Sequence, residues 1–156
     1  IEATPHAAES ILAEYSVVPP PPGFTRHRSE IDRLFGAGSV EAIIGALAAD
    51  GSDWALAQRA EIVKKSPLSS KVALRQLAES RVLSRFSDNM RMEFRIAVRI
   101  IAQPDFREGV RALVMDKDGE PKWSPPRFED VSEDDVAAIF APLTDQEDWQ
   151  PLEKVQ

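Results

Sequence analysis

Apolar positions recur along this chain at intervals of three and four residues almost from end to end, the mark of amphipathic helices. Ala8, Ile11, Leu12 and Tyr15 share one face of a first helix, with Thr4 as its cap and Pro5 at its first position. Four consecutive prolines at 19–22, followed by Gly23, favour polyproline II and read as a stiff connector. Residues 28–35 form a short helix closed by Gly36-Ala37-Gly38. Ser39 caps the next helix, with an apolar stripe of Val40, Ile43, Ile44 and Leu47, and Asp50-Gly51 breaks it. Ser52 caps a fourth helix, with Asp53 in its first turn, where the helix dipole favours an anion.

Ser66-Pro67 is the clearest start signal: the serine hydroxyl satisfies an orphan N–H, and proline at the first position loses no bond. The helix it opens runs to about Arg81, and its spacing predicts that Ala73, Leu74, Leu77 and Ala78 are buried. Residues 86–102 are the longest periodic stretch. Met90, Phe94, Ala97, Val98 and Ile101 point one way, and Arg91, Arg95 and Arg99 another. Pro104 starts a helix carrying Phe106, Val110 and Leu113, followed by a turn at Asp116-Lys117-Asp118-Gly119. Trp123-Ser-Pro-Pro126 is irregular. Ser132 caps a last helix, with Asp135 completing an imperfect capping box and Val136, Ile139, Phe140 and Leu143 as its apolar face. No alternation of period two persists, so the fold class is all-α, with seven to eight helices. The organisation expected is an N-terminal helix at 1–18, a proline-rich connector at 19–27, a helical domain at 28–143, and a mobile acidic tail at 144–156.

Composition narrows the chemistry. With 156 residues the chain fits one domain. It has no cysteine, so it carries no disulfide framework and no thiolate metal site. His6 and His27 are too few and too far apart for a histidine-rich zinc centre, and no metal is expected. No apolar run approaches the ~20 residues of a membrane span. The first residue is Ile rather than Met, as at a trimmed end, and no secretory signal follows it. Net charge is −7, but residues 57–117 carry 13 Lys and Arg against 7 Asp and Glu, and residues 128–150 carry eight acids and no base. A generally acidic chain argues against nucleic-acid binding, while the basic middle suits a phosphorylated small molecule or a solvated helix face.

No G-x-S-x-G elbow, P-loop or G-x-G-x-x-G is present, and Gly36-Ala37-Gly38 follows no strand. The paired carboxylates Glu129/Asp130 and Asp134/Asp135 lie in a dense acidic run, whereas catalytic pairs need burial that pushes their pKa values apart. The Arg91/Arg95/Arg99 row has the fork geometry to hold a phosphate, and Asp88 and Glu93 beside it suit a plain surface row. Read from the residues alone, this is a helical domain without a self-contained active site, and no catalytic residue is assigned.

Four stretches in order resemble the C-terminal region of the 3-hydroxyisobutyryl-CoA hydrolase branch of the crotonase (enoyl-CoA hydratase/isomerase) superfamily. They are Ile31-Asp-Arg-Leu-Phe35 with Ser39-Val-Glu-Ala-Ile-Ile44; Lys65-Ser-Pro-Leu-Ser-Ser-Lys-Val-Ala-Leu-Arg-Gln-Leu77; Arg91-Met-Glu-Phe-Arg-Ile-Ala-Val-Arg99; and Pro104-Asp-Phe-Arg-Glu-Gly-Val-Arg-Ala-Leu113. Asp116-Lys-Asp118, Pro121-Lys-Trp123 and Phe140-Ala-Pro142 extend the last. Residues 78–90 depart from the pattern, where the family more usually shows a glycine-containing turn.

The resemblance implies a larger enzyme. Its N-terminal spiral of ββα turns supplies the oxyanion hole and the acidic residues that handle water, and this chain begins just after that core. The implied reaction is hydrolysis of a 3-hydroxyacyl-CoA thioester, as in valine breakdown, with coenzyme A as part of the substrate and no separate cofactor. The helices here would wall the CoA site and mediate contact in a homo-oligomer. Lys117 resembles a lysine near the CoA phosphates, and Phe106 and Trp123 are candidates for the adenine side, although Phe106 also suits helix packing. Bacterial cytoplasm and mitochondrial matrix are the compartments implied. Two other readings remain open: a hydratase or isomerase of the same architecture, and a helical protein-interaction module without catalysis. A chain that belongs to a larger enzyme should leave apolar surface unmet where the core docks.

Overall fold

The computed structural model describes residues 5–150, with side chains from Ala8 onward. The Thr4 cap and the last six residues of the acidic tail lie outside the described residues. Among those described the chain is all-helical, with eight α-helices: α1 (Pro5–Glu14), α2 (Arg28–Leu34), α3 (Val40–Asp50), α4 (Asp53–Ile62), α5 (Pro67–Ser80), α6 (Phe86–Ala102), α7 (Pro104–Val110) and α8 (Glu133–Phe140). Short 3-10 turns occupy Gly23–His27 and Phe128–Asp130, and a π-helical turn, Arg111–Met115, continues α7.

The chain divides into two compact units, residues 1–33 and residues 34–156. In the first, Ile11 and Leu12 of α1 and Tyr15 just after it form the expected stripe, and all three are exposed. Val17, Val18 and Phe24 around the proline run are exposed as well.

In the second unit four serines fix the helix starts. Ser39, Ser52, Ser66 and Ser132 each accept a backbone N–H of their helix's first turn. Each such cap is worth about 1 kcal/mol. The box at Ser132 is complete: Asp135 returns a bond to the Ser132 N–H, doing with its shorter side chain what glutamate does in the usual box. Glu133, Asp134 and Asp135 crowd the first turn of α8, where the dipole favours anions, which accounts for part of the acidic run. Gly51 ends α3 at φ 70°, a conformation that glycine takes without strain.

Two apolar clusters hold these helices. One joins Leu34, Ile43, Leu47 and Ala55, with Phe35 and Trp54 packed edge to face at 6.4 Å. The other joins Leu68, Val72, Met92, Ile96, Val131, Val136 and Ile139. Helix α5 serves both, with Leu68 and Val72 in the second and Leu74 against the first. Lys71 braces the junction: its ammonium lies 2.7 Å from Glu41 of α3 and donates to the Val131 carbonyl at 2.9 Å.

The buried sides of α5 and α6 differ from those the spacing predicts. On α5, Leu68 and Val72 are buried, whereas Ala73, Leu77 and Ala78 are exposed. On α6 the covered face is Met92 and Ile96, with Ile100 partly covered, while Val98 and Ile101 of the wider stripe face outward with Phe86. Both faces of α6 are apolar: Met92 and Ile96 of the narrower one join the buried cluster with α5 and α8, while Met90 and Phe94 of the wider one are half-buried. The arginine row between them is engaged by the chain itself. Arg95 grips Asp148 through Nε and Nη2, Arg91 lies 3.8 Å from the same carboxylate, and Arg99 donates to the Pro142 carbonyl at 3.0 Å. The Arg95 bond holds Asp148 below the ordinary aspartate range. Asp148 thus ties the segment after α8 back to α6.

Candidate functional site

Lys117, Phe106 and Trp123 all lie on α7 or the loop that follows it, and the chain treats them differently. Gln103 is extended, and Pro104 opens α7 at a position where its missing N–H costs nothing. Asp105, in the first turn, is buried and accepts the Ser66 hydroxyl at 2.6 Å and the Ser124 N–H at 2.8 Å. It therefore joins the start of α5, the start of α7 and the returning loop. A buried carboxylate left without these donors is costly, so the bonds fix the loop's return.

One turn on, Glu108 and Arg111 form a second anchor. Arg111 donates to Glu108 from Nε at 3.0 Å and from Nη2 at 2.8 Å. Its Nη1 donates to Asp116 at 2.8 Å and to Asp118 at 2.5 Å, and Nη2 also reaches the Glu120 carbonyl at 3.3 Å. Glu108 in turn accepts the Lys122 N–H at 2.7 Å. Bonding from Arg111, then from the Lys122 N–H, lowers the Glu108 pKa to about 2. Asp118 is lowered for the same first reason, and Arg111 is raised by its carboxylate partners.

Around this anchor the three predicted residues part company. Lys117 sits at the tip of the turn with φ 57°, exposed and with no partner for its ammonium among the described residues. Trp123 is half-buried, donates from its indole N–H to the Lys64 carbonyl at 2.8 Å, and lays its ring against Gly109. A Cβ at Gly109 would meet that ring at 3.4 Å, an ordinary van der Waals contact. Phe106 is 44% exposed, so the chain covers it only in part. Val110, Leu113, Val114 and Met115 are exposed beside it in sequence.

None of the three residues lines any of the three main clefts among the described residues. The largest, about 540 Å³, is bordered by Phe35, Lys71, Leu74, Arg81 and Val136. Among the described residues no three His, Cys, Asp or Glu side chains are placed to hold a metal, and no helix is long and apolar enough to cross a membrane. Sequence reasoning missed Asp105, Glu108 and Arg111. The i, i+3 spacing of Glu108 and Arg111 marks a helix pair, but the long-range bonds of Asp105 to Ser66 and Ser124 leave no local trace.

The sequence matches the enoyl-CoA hydratase/isomerase family over residues 2–140. It is 38% identical over 138 residues to the mitochondrial 3-hydroxyisobutyryl-CoA hydrolase of Mus musculus, a match covering 88% of this chain and 34% of that protein. It is 37% identical over 153 residues to the small ribosomal subunit protein mS47 of Arabidopsis thaliana, covering 92% of this chain and 37% of that one. The fold superposes on a carnitinyl-CoA dehydratase from Mycobacterium thermoresistibile with a TM-score of 0.81 and 30% identity, over 89% of this chain and 40% of the dehydratase. The chain thus spans about a third of the length of the curated relatives it matches. A match over residues 2–140, with a shared helical fold, shows that the chain belongs to the enoyl-CoA hydratase/isomerase family.

Proposed function

We propose that this chain is the C-terminal helical part of a CoA-thioester hydrolase acting on 3-hydroxyisobutyryl-CoA or a similar 3-hydroxyacyl-CoA. The groups that perform the chemistry lie in a crotonase core outside this chain, and the helices cover the CoA site and contribute to contact between subunits of a homo-oligomer. The observation that carries this reading is the open side of α6 and α7. Phe86, Val98, Ile101, Phe106 and, in the turn after α7, Leu113 are between 42% and 78% exposed, while Met92, Ile96 and Asp105 on the same two helices are buried. Burying a large apolar side chain is worth about 1.5–3 kcal/mol, so a run of such residues left open marks a docking face. The occupant is the core of the same enzyme, as the 38% identity to a hydrolase about three times as long supports. Within this reading Lys117 and Phe106 are the residues free to meet coenzyme A, and Trp123 fixes the loop that carries Lys117. The compartment is a reducing one, mitochondrial matrix or bacterial cytoplasm.

The experiment is a thioesterase assay of the whole protein with 3-hydroxyisobutyryl-CoA, following free thiol, beside hydration of an enoyl-CoA. Thiol release by the whole protein and none by this chain alone is expected. Hydration without thiol release would place the protein among the hydratases of the family. Neither activity would favour a second reading, a helical binding module, which the 37% identity to a protein named as a ribosomal subunit component supports.

A further inference from the structure

Residues 17–24 carry a continuous apolar ridge on an extended backbone. Val18, Pro19, Pro20 and Pro21 each precede a proline, which drives them toward extended conformations, and every proline ring fixes its own φ. Pro22 has φ −57° and ψ 138°, within the polyproline II range. That helix has three residues and ~9 Å to a turn, so Pro19 and Pro22 share one edge and Val18 and Pro21 the next.

The ridge is bare. Val17, Val18 and Phe24 are 83%, 97% and 56% exposed, and a Cβ at Gly23 would meet nothing within 4 Å. Among the described residues no hydrogen bond reaches residues 17–21, so their carbonyls stand free as acceptors. The Pro22 carbonyl accepts the Thr25 N–H at 3.0 Å and opens the turn Gly23–His27, which places Arg26 and then Arg28 just beyond the ridge. Both arginines are exposed, and the Arg28 guanidinium lies 3.8 Å from Asp32 with both side chains at least 70% exposed, a pair of little strength.

These features select one mode of recognition. Prolines have no N–H, so the run cannot pair as a strand along a sheet edge, and it cannot lie in a groove as an α-helix. A preformed polyproline II segment with free carbonyls suits a groove lined by aromatic side chains, and its fixed backbone lowers the entropy lost on binding. We propose that residues 17–28 are a docking motif for a partner protein with such a groove. Aromatic rings take the Val18-Pro19 and Pro21-Pro22 pairs, groove N–H or O–H donors meet the free carbonyls, and carboxylates at the groove's end meet Arg26 and Arg28. The motif is independent of the thioesterase reading given above.

The test titrates the whole protein into isotope-labelled SH3, WW and EVH1 domains, with amide shifts followed by NMR. Binding to at least one, with the shifts centred on its aromatic groove, is expected. Pro19→Ala with Pro22→Ala weakens it about tenfold or more and leaves the thermal midpoint of the whole protein unchanged, because both positions are exposed. Arg26→Glu with Arg28→Glu weakens it about threefold and removes its salt dependence. Wild-type affinity after the two proline changes would overturn the motif, as would the absence of shifts in all three domains. In that last case the run is a connector alone, and the thioesterase reading stands untouched.

Discussion

The two sides of α6 are built from the same kinds of residue and meet different fates. One side places Met92 and Ile96 against Leu68, Val72, Val136 and Ile139, all buried. The other carries Phe86, Val98 and Ile101, which are 78%, 42% and 56% exposed. The difference teaches that periodicity identifies a face fit for burial, while the partner that buries it is a separate fact. Helix α5 repeats the lesson, with Leu68 covered and Leu77 open.

The largest expected effect lies on the covered side. Ile96→Ala should cost about 2–5 kcal/mol in urea unfolding, because it empties a site enclosed by three elements. A cost near zero would mean that this side is no better packed than the other. Asp105→Ala comes next, at about 1–3 kcal/mol by the same measurement, since it orphans the Ser66 hydroxyl and the Ser124 N–H.

The ion cluster below Lys117 should titrate at unusually low pH. The Glu108 pKa is lowered to about 2 from an ordinary 4.5, so its contribution to stability is full above pH 4.5 and is lost as the pH falls from there toward 2. Carboxyl chemical shifts of Glu108 followed by NMR between those limits check this, and a midpoint near 4.5 would show the cluster loose. The smallest effect on stability belongs to the open side. Ile101→Gln should change the unfolding free energy of this chain by less than about 0.5 kcal/mol, as for a surface position. It should nonetheless reduce the activity of the whole protein if the core docks there. A large loss of stability in the isolated chain would erase the contrast between the two sides.

Much of the fold was legible in local signals. Ser39, Ser52, Ser66 and Ser132 each act as the caps their spacing predicts, and Gly51 stops α3 as Asp50-Gly51 implies. These features act within one turn of helix, where sequence and structure are nearly the same statement. The faces of α5 and α6 were not legible, because choosing between two apolar stripes depends on residues 40 or more positions away, such as Val136 and Ile139. The tie between Asp148 and Arg95 was equally hidden, because the two lie 53 residues apart. At the candidate site Lys117 was singled out by resemblance to a motif. Arg111, which organises its surroundings, went unnoticed because its partners Asp116 and Asp118 come together only once the π-helical turn has brought the chain around.

The loop from Lys122 to Ser124 also has a mechanical meaning. Its backbone N–H groups are fastened to Glu108 and Asp105 of α7, its indole to the carbonyl of Lys64 just past α4, and Asp105 itself to Ser66 at the head of α5. Three helix ends therefore share one cross-brace. Tension applied at any one of them is carried by several hydrogen bonds loaded in parallel, so this corner should give way later under pulling than the turn between α5 and α6, where the Ser80 hydroxyl donates to Asn89.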